Sequence, residues 1–219
     1  MLRYAIVGTN WLSHIYYHAI EAAGDRVAAV CSRSRERAAE LGQGKALVYT
    51  ELDEMLKNPD IDVVYLCIPN VLHADAALRC LRAGKHVLCE KPIAPDSAAL
   101  ARMARAAREA GRVLMEAMMP AHTPAYRAIR AAMAQIAPVR RATLRFCKYS
   151  SRYDKFKAGI VENAFDPSLA NGALMDIGAY CVNLMVLLFG ASRAVTAKAV
   201  FLPGSIDAIG TAICEYDGF

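Results

Sequence analysis

The sequence lacks several features that would assign it to other classes of protein. Its seven cysteines, at 31, 67, 80, 89, 147, 181 and 214, never form a C-x-x-C pair, and this predicts reduced thiols in a cytoplasmic protein. No His/Cys/Asp/Glu cluster has the spacing of metal ligands, so we expect no metal. The basic stretch from 102 to 112 alternates arginine with alanine and methionine rather than with aromatic residues, and a nucleic-acid partner is therefore not expected.

Long hydrophobic runs are also missing. The first eight residues have no basic segment ahead of a long apolar core, unlike a signal peptide. The longest later run, 179–189, is interrupted by Asn183 and is shorter than the ~20 residues that span a bilayer. We therefore expect no membrane partner. The 219 residues are 56% hydrophobic with a formal charge of +5, which favours a globular protein with a small polar or anionic substrate.

The first half alternates short β-branched runs with helical stretches, a rhythm typical of parallel strands joined by crossover helices. Strands are predicted at 3–7, 27–31, 47–49, 63–68, 86–89 and 113–115, and helices at 13–23, 35–41, 52–57, 74–83 and 97–110. Six strands alternating with five helices predict an α/β fold, a doubly wound parallel sheet of Rossmann type over residues 1–120.

The rhythm changes in the second part of the chain. Here we predict a helix at 125–134, a strand at 141–149, a long irregular stretch at 150–171, a helix at 174–188 and strands at 195–201 and 208–216. These elements indicate a smaller α+β domain over 121–219 with an open, mostly antiparallel sheet. The last predicted strand would offer unpaired backbone groups to solvent or to another chain, and we expect a homo-oligomer through this sheet.

The first strand runs into a turn that begins Gly8, Thr9, Asn10, Trp11, Leu12. The turn has the position of the dinucleotide motif G-x-G-x-x-G, but Asn10 and Ser13 replace its second and third glycines. Asparagine tolerates left-handed backbone and serine is small enough for close helix packing. The following helix N-terminus would present N–H groups to a pyrophosphate. An ordinary strand-to-helix turn is the alternative.

The second strand ends in Ser32 and Arg33, with Arg37 one helical turn later. An NAD-preferring site usually has Asp or Glu here to hold the ribose hydroxyls, whereas an arginine fork binds the 2′-phosphate of NADP. The sequence therefore favours NADP(H), with NAD(H) as the second choice. Two arginines that merely begin a solvated helix are the alternative.

Polar residues also follow the fourth and fifth predicted strands. The fourth is followed by Cys67, Ile68, Pro69, Asn70 and His73, and the fifth by Glu90 and Lys91. Ligands of open α/β sheets bind outside the carboxyl ends of the strands. We therefore expect these residues to line the nucleotide crevice, and Lys91 to lie where the substrate and nicotinamide meet. A lone solvated lysine is the alternative.

Several of these segments together resemble the Gfo/Idh/MocA oxidoreductases. The resemblance runs from Pro69 through the stretch 83–92, which reads AGKHVLCEKP, and continues at 116–119 and 172–180. It implies an NAD(P)-dependent dehydrogenase or reductase that transfers hydride between the nicotinamide and a sugar, diol or related hydroxy or carbonyl compound. The tyrosine at 180 makes the chain similar to the dihydrodiol dehydrogenase and glucose-fructose oxidoreductase branches. Relatives usually continue through further strands of an open sheet, so the resemblance implies that the domain over 121–219 is incomplete.

The resemblance also implies roles for individual residues. Lys91 would contact substrate and cofactor, with a Lys91–Pro92 bond that is often cis in relatives, and Asp176 with Tyr180 would supply the acid/base group from one helix face. Asn183 stands where relatives often have another polar substrate contact. Met118, His122 beyond the sixth strand and Arg152 in the basic loop are further candidate substrate contacts, with a surface histidine and an ordinary exposed loop as the alternatives for the last two. Alternatives are a core tyrosine at 180, a non-catalytic or regulatory NAD(P)-binding protein, and an interaction module built on the exposed sheet.

Overall fold

The computed structural model describes residues 1–218, and the chain divides into two compact units, Met1–Ala117 and Met118–Phe219. Sequence reasoning placed this boundary three residues later, between 120 and 121.

The first unit is a six-stranded parallel sheet with helices on both faces. Its strands are β1 (Arg3–Val7), β2 (Arg26–Cys31), β3 (Leu47–Tyr49), β4 (Val63–Leu66), β5 (His86–Cys89) and β6 (Leu114–Glu116), in the spatial order β3-β2-β1-β4-β5-β6. Its helices are α1 (Trp11–Ala22), α2 (Arg35–Gly42), α3 (Leu52–Leu56), α4 (His73–Arg82) and α5 (Ser97–Ala110). This is the strand order of a Rossmann domain, and it confirms the predicted fold.

Two apolar clusters cover the two faces of this sheet. One packs α1 and α2 on the sheet and contains the fully buried rings of Tyr17 and Tyr65 with Ile6 and Leu41. The other packs α3, α4 and α5 and is built mainly from small and medium side chains. Because both faces are covered, the central strands are apolar throughout, and the four residues of β4 are all buried. The chain places β2 and β3 on one side of β1 and β4, β5 and β6 on the other, so the strand order reverses between β1 and β4. This reversal leaves a crevice at the carboxyl ends of these two strands.

The second unit combines short helices with one hairpin. A 3₁₀ turn (Met119–His122) leads into α6 (Pro124–Gln135), and later come α7 (Tyr153–Lys157), a π-turn (Leu174–Gly178) and α8 (Ala179–Phe189). The hairpin joins β7 (Ala194–Leu202) to β8 (Ile206–Glu215), which pair antiparallel with a register shift between Val200 and Phe201. The antiparallel sheet of the expected α+β domain is therefore present as two strands.

Two predictions for this unit need correction. Residues 141–149 do not form a strand, because β7 and β8 pair only with each other among the described residues, and a ladder requires a bonded neighbour. The stretch 150–171 is less irregular than expected, since it contains α7 and the 3₁₀ turns Asn163–Phe165 and Pro167–Leu169. A cluster of aromatic rings orders it, with Phe156 and Phe165 stacked at 4.9 Å.

One segment of this unit has the length and composition of a membrane span. Residues Pro167–Phe189 reach a mean hydropathy of 1.8, and only 6% of that window is buried, whereas we expected no such segment. The helical path is interrupted within it, because Ala170 and Gly172 have φ of 55° and 125°. The remaining helix is the five-residue π-turn and the eleven-residue α8, which is shorter than the ~20 residues of a typical span. Core helices of other proteins meet the same criterion.

Candidate active site

The turn after β1 is built around Gly8. Its φ is +103°, and a Cβ added to it would overlap the carbonyl group of Cys67 at the end of β4. The Gly8 amide donates to the Cys31 carbonyl at 2.9 Å. A glycine is therefore required here, because only a residue without a side chain lets β1, β2 and β4 approach one another at the mouth of the crevice.

Asn10 has a different role from the one its position in the motif suggests. Its backbone is extended, with φ of −83°, so the left-handed tolerance of asparagine is not used. Its side chain caps α1, because Oδ1 accepts from the Leu12 amide at 2.9 Å and the Ser13 amide at 3.3 Å. Its Nδ2 donates to the Cys67 carbonyl at 3.1 Å. Two of the N–H groups expected to serve a pyrophosphate are thus already bonded within the protein.

The remaining positions of this turn differ in exposure. Trp11 is 68% exposed, whereas Leu12 is half-buried in the apolar cluster under α1. Ser13, at the third glycine position, is fully buried. A small side chain there lets the helix pack closely on the sheet.

Hydroxyl and guanidinium groups meet at the carboxyl end of β2. The Thr9 and Ser32 hydroxyl oxygens lie 3.3 Å apart, and Ser32 Oγ also accepts from the Ser34 amide at 3.4 Å. Arg33 follows directly and is exposed, as is Arg37 in the first turn of α2. The carboxyl end of β2 is therefore followed by the hydroxyl of Ser32 next to that of Thr9, and by the guanidinium groups of Arg33 and Arg37. No Asp or Glu follows the strand directly.

The segment after β4 lines the crevice with its backbone. Cys67 is 3% exposed, and burial raises the pKa of its thiol, so it is not poised as a nucleophile. Ile68 and Pro69 follow it, half-buried, and Asn70 begins a 3₁₀ turn that leads into α4. Three of the expected crevice residues are therefore partly accessible at the end of this strand.

His73 lies in the scaffold behind the crevice, although sequence reasoning assigned it to the cofactor. Its ring is fully buried, with Nδ1 2.8 Å from the Pro92 carbonyl oxygen and Nε2 2.9 Å from the Ile68 carbonyl oxygen. Burial lowers the pKa of the ring, which favours its neutral form. Both nitrogens are occupied by the protein, so this side chain has no group to offer a ligand.

Glu90 and Lys91 leave β5 at the next strand end. Glu90 is 7% exposed, and its Oε1 accepts from the Tyr65 hydroxyl at 2.7 Å while its Oε2 accepts from the Lys91 amide at 3.2 Å. Burial raises the pKa of the Glu90 carboxyl, and the Tyr65 hydrogen bond opposes that rise. Lys91 is half-buried, and its bond to Pro92 is cis, as expected from the sequence.

The expected proton-transfer residues lie in the second unit, on the π-turn and α8. Asp176 is inside the π-turn, and its amide donates to the Gly172 carbonyl at 2.9 Å. Tyr180 is in the first turn of α8 with its ring 5.7 Å from that of Phe146. Sequence reasoning assumed a regular α-helix between these two residues. Single π-turns are frequent at functional sites.

Asn183, one turn beyond Tyr180, has a side-chain oxygen that is buried without a hydrogen-bond partner in the described part of the chain. Such an atom costs about 1–3 kcal/mol unless a ligand or water satisfies it. Of the other expected substrate contacts, Met118 is 5% exposed, whereas His122 and Arg152 are exposed. Arg152 lies 3.9 Å from the Glu162 carboxylate.

Sequence reasoning missed two residues that contribute to this site. Tyr65 was read only as part of an apolar strand, yet its hydroxyl is the donor to Glu90. Glu116, at the end of β6, accepts from the Ile93 amide at 2.9 Å. A polar side chain within a buried strand was the available signal for Tyr65. Nothing local pointed to the Glu116 contact, because it joins residues 23 apart in the chain.

The first unit fits a nicotinamide dinucleotide. It combines the glycine turn, the hydroxyl and guanidinium groups after β2, and the crevice at the reversal of strand order. A model of an oxidoreductase family with an NAD-binding Rossmann fold, the Gfo/Idh/MocA family, matches residues 2–118. This match covers the first unit and the first residue of the second.

Whole-chain comparisons agree with the family match. The chain is 44% identical over 225 residues to scyllo-inositol 2-dehydrogenase (NADP(+)) IolU of Bacillus subtilis, covering 100% of this chain and 68% of that protein. It is 33% identical over 203 residues to trans-1,2-dihydrobenzene-1,2-diol dehydrogenase of Xenopus tropicalis, covering 91% and 60%. The chain thus spans about two thirds of the length of these relatives.

A solved structure extends the comparison to three dimensions. KijD10, a 3-ketoreductase from Actinomadura kijaniata in complex with NADP and TDP-benzene, matches with a TM-score of 0.86 and 28% identity, over 99% of this chain and 67% of that one. The chain therefore belongs to the Gfo/Idh/MocA family of NAD(P)-dependent oxidoreductases, which transfer hydride between a nicotinamide and a hydroxy or carbonyl compound.

Proposed function

We propose that this protein is an NADP(H)-preferring dehydrogenase or reductase of a cyclic polyol, sugar or vicinal diol. The main support for this proposal is the carboxyl end of β2. Ser32 and the exposed Arg33 follow that strand directly, and no Asp or Glu does. A guanidinium fork pairs with a phosphate, whereas a carboxylate would repel it. One relative is a scyllo-inositol 2-dehydrogenase (NADP(+)), and another is a trans-1,2-dihydrobenzene-1,2-diol dehydrogenase.

The proposed roles of the protein groups follow from their chemistry. The Lys91 ammonium donates to the reacting oxygen of the substrate and stabilises negative charge that develops there. In the second unit, the Tyr180 hydroxyl is the proposed proton-exchanging group, and the Asp176 carboxylate accepts from a substrate hydroxyl. NADP(H), when bound, supplies the hydride donor or acceptor. Asn183 offers its unpartnered amide oxygen to another substrate hydroxyl.

Nucleotide preference can be tested at Arg33 by titrating NADPH and NADH against protein fluorescence. A charge-assisted hydrogen bond is worth about 1.5–3 kcal/mol, so Arg33→Ala should weaken NADPH binding by about 10- to 100-fold. NADH binding should not change. Arg26→Ala is the matched control, because Arg26 is an exposed arginine at the opposite end of the same strand. Equal wild-type affinities for the two nucleotides would refute the preference.

The chemistry can be tested by measuring NADPH formation and loss with a panel of inositols, trans-dihydrodiols, sugars and the matching ketones. Lys91→Ala should abolish turnover of any substrate found while nucleotide affinity remains. Lys45→Ala, at an exposed lysine beyond the end of α2, is the control. A protein that binds NADPH and turns over no member of the panel would instead be a nucleotide-binding or regulatory member of the family.

We extend the proposal to location and assembly. The seven cysteines are all unpaired, which suits a reducing cytoplasm. One face of the hairpin presents Val200, Ile209 and Ile213, each more than 60% exposed. Adjacent exposed apolar side chains of this size favour association, and a homo-oligomer through this sheet is expected. Size-exclusion chromatography with light scattering tests it.

A further inference from the structure

The segment that carries Lys91 is held at three backbone positions by side chains. Glu90 Oε2 accepts from the Lys91 amide at 3.2 Å, and the His73 ring lies 2.8 Å from the Pro92 carbonyl oxygen. Glu116 Oε1 accepts from the Ile93 amide at 2.9 Å. The backbone of Lys91 is therefore held by its neighbour Glu90, and the two residues that follow it are held by side chains from α4 and β6.

His73 holds this segment from the side of β4. It is the first residue of α4, is fully buried, and contacts the Ile68 carbonyl with its second ring nitrogen. The ring thus lies between the chain leaving β4 and the chain leaving β5, with one ring nitrogen next to a carbonyl of each. The neutral ring donates to one of these carbonyls, and the protonated ring donates to both.

Glu116 holds the segment from the side of β6. Its backbone lies opposite Cys89 in the parallel ladder, and the next amide, of Ala117, donates to the Cys89 carbonyl at 2.7 Å. The ladder fixes the position of the Glu116 Cα, so the hydrogen bond from the Ile93 amide to the Glu116 carboxylate holds Ile93 close to the end of β6. The side chain is half-buried, which limits competition from water for this bond.

We infer that His73 and Glu116 are positioning residues, which set the location of the Lys91 ammonium without touching the ligand. The inference rests on the proposed contact between Lys91 and the reacting oxygen. A displacement of ~1 Å at a reacting group can cost about 100-fold in rate. Loss of either contact should therefore lower kcat. The nucleotide crevice between the carboxyl ends of β1 and β4 should remain in place when Glu116 is changed, because the Glu116 contact joins β6 to the chain after β5.

Glu116 gives the sharper test, because an isosteric variant keeps its contact. Glu116→Gln retains an oxygen that accepts from the Ile93 amide, whereas Glu116→Ala does not. We expect Glu116→Ala to lower kcat by about 10- to 100-fold with an unchanged Kd for NADPH, and Glu116→Gln to retain most of the activity. Glu109→Ala, at an exposed glutamate on α5, is the control and should match the wild type.

Hydrogen–deuterium exchange supplies a readout that needs no turnover. The Ile93 amide should be protected in the wild type and in Glu116→Gln, and exposed in Glu116→Ala. For the histidine, His73→Gln keeps one amide donor, so kcat should fall less than in His73→Ala. If His73→Ala does not fold, the kcat of His73→Gln against the wild type remains the measure, and an unchanged value overturns the role of His73.

The outcomes separate this inference from the proposed function. A wild type that turns over substrate together with a fully active Glu116→Ala would overturn the positioning role, as would a Glu116→Gln as impaired as Glu116→Ala. Fast exchange of the Ile93 amide in the wild type would overturn it whether or not a substrate is known. A wild type with a protected Ile93 amide and no turnover would refute the proposed function alone.

Discussion

The buried hydrogen bond between Tyr65 and Glu90 gives the most quantitative prediction about the first unit. Tyr65→Phe removes only the hydroxyl, because the ring and its stacking on Tyr16, at 4.2 Å between centroids, can remain. The buried Glu90 Oε1 then loses its donor. An unsatisfied buried acceptor costs about 1–3 kcal/mol, and a charged one lies toward the upper end. We expect a loss of about 2–3 kcal/mol at neutral pH.

The pH dependence distinguishes this cause from simple loss of packing. Burial already raises the pKa of Glu90, and the Tyr65 hydrogen bond opposes that rise, so its removal raises the pKa further. A carboxyl with a raised folded-state pKa destabilises the fold as pH rises above its unfolded value of about 4.3. The penalty of Tyr65→Phe should therefore be large at pH 8 and small near pH 4.

Urea denaturation followed by circular dichroism at several pH values measures this penalty. Tyr4→Phe is the control, because it deletes the hydroxyl of a half-buried tyrosine in β1 of the same sheet. In a Glu90→Gln background the pH dependence of the Tyr65→Phe penalty should disappear. A penalty that is equal at pH 4 and pH 8 would refute the assignment of the effect to Glu90.

Two further predictions concern the turn after β1 and the opposite end of the sheet. Gly8→Ala should destabilise the first unit by ~1–3 kcal/mol or more, because the added methyl group clashes with the Cys67 carbonyl and the position has a positive φ. Gly24→Ala, at a position with a positive φ and open space around it, should cost less in the same urea denaturation. Asp62 has its pKa lowered to about 2 by its hydrogen bonds with Arg3, so its stabilising effect should be present above pH ~4 and disappear between pH 4 and 2. Asp62→Asn should reduce the change in the urea midpoint between pH 4 and 2. A midpoint that changes with pH as steeply as in the wild type would contradict this role of Asp62.

The first unit was predictable because each of its elements carries a local signal. The strands Arg3–Val7, Leu47–Tyr49 and His86–Cys89 have the predicted bounds, and most other ends differ by one or two residues. Continuous apolar runs indicate strands that are covered on both faces, and glycines mark the helix ends. Such signals do not depend on distant parts of the chain, so a single sequence is sufficient to find them.

The second unit was less predictable because its structure depends on partners. Residues 141–149 have the alternating pattern of a strand, yet no strand among the described residues pairs with them. Pattern predicts which residues favour extended backbone, whereas a ladder also needs a neighbour. The π-turn before α8 was missed for a similar reason, since a helical period read over sixteen residues does not show one additional residue in a single turn.

The residues of the candidate site also differ in how far the sequence could predict them. Residues that would touch a ligand, such as Lys91 and Arg33, occupy motif positions and were identified from the sequence. Residues that hold the segment around Lys91, such as Glu116 and His73, make contacts between strand ends that are remote in sequence. A histidine beside a crevice reads as a ligand contact until its two ring nitrogens are found on backbone carbonyls. Sequence motifs therefore contain both kinds of residue, and the geometry is needed to separate a proposed ligand contact from a side chain whose polar groups are bonded within the protein.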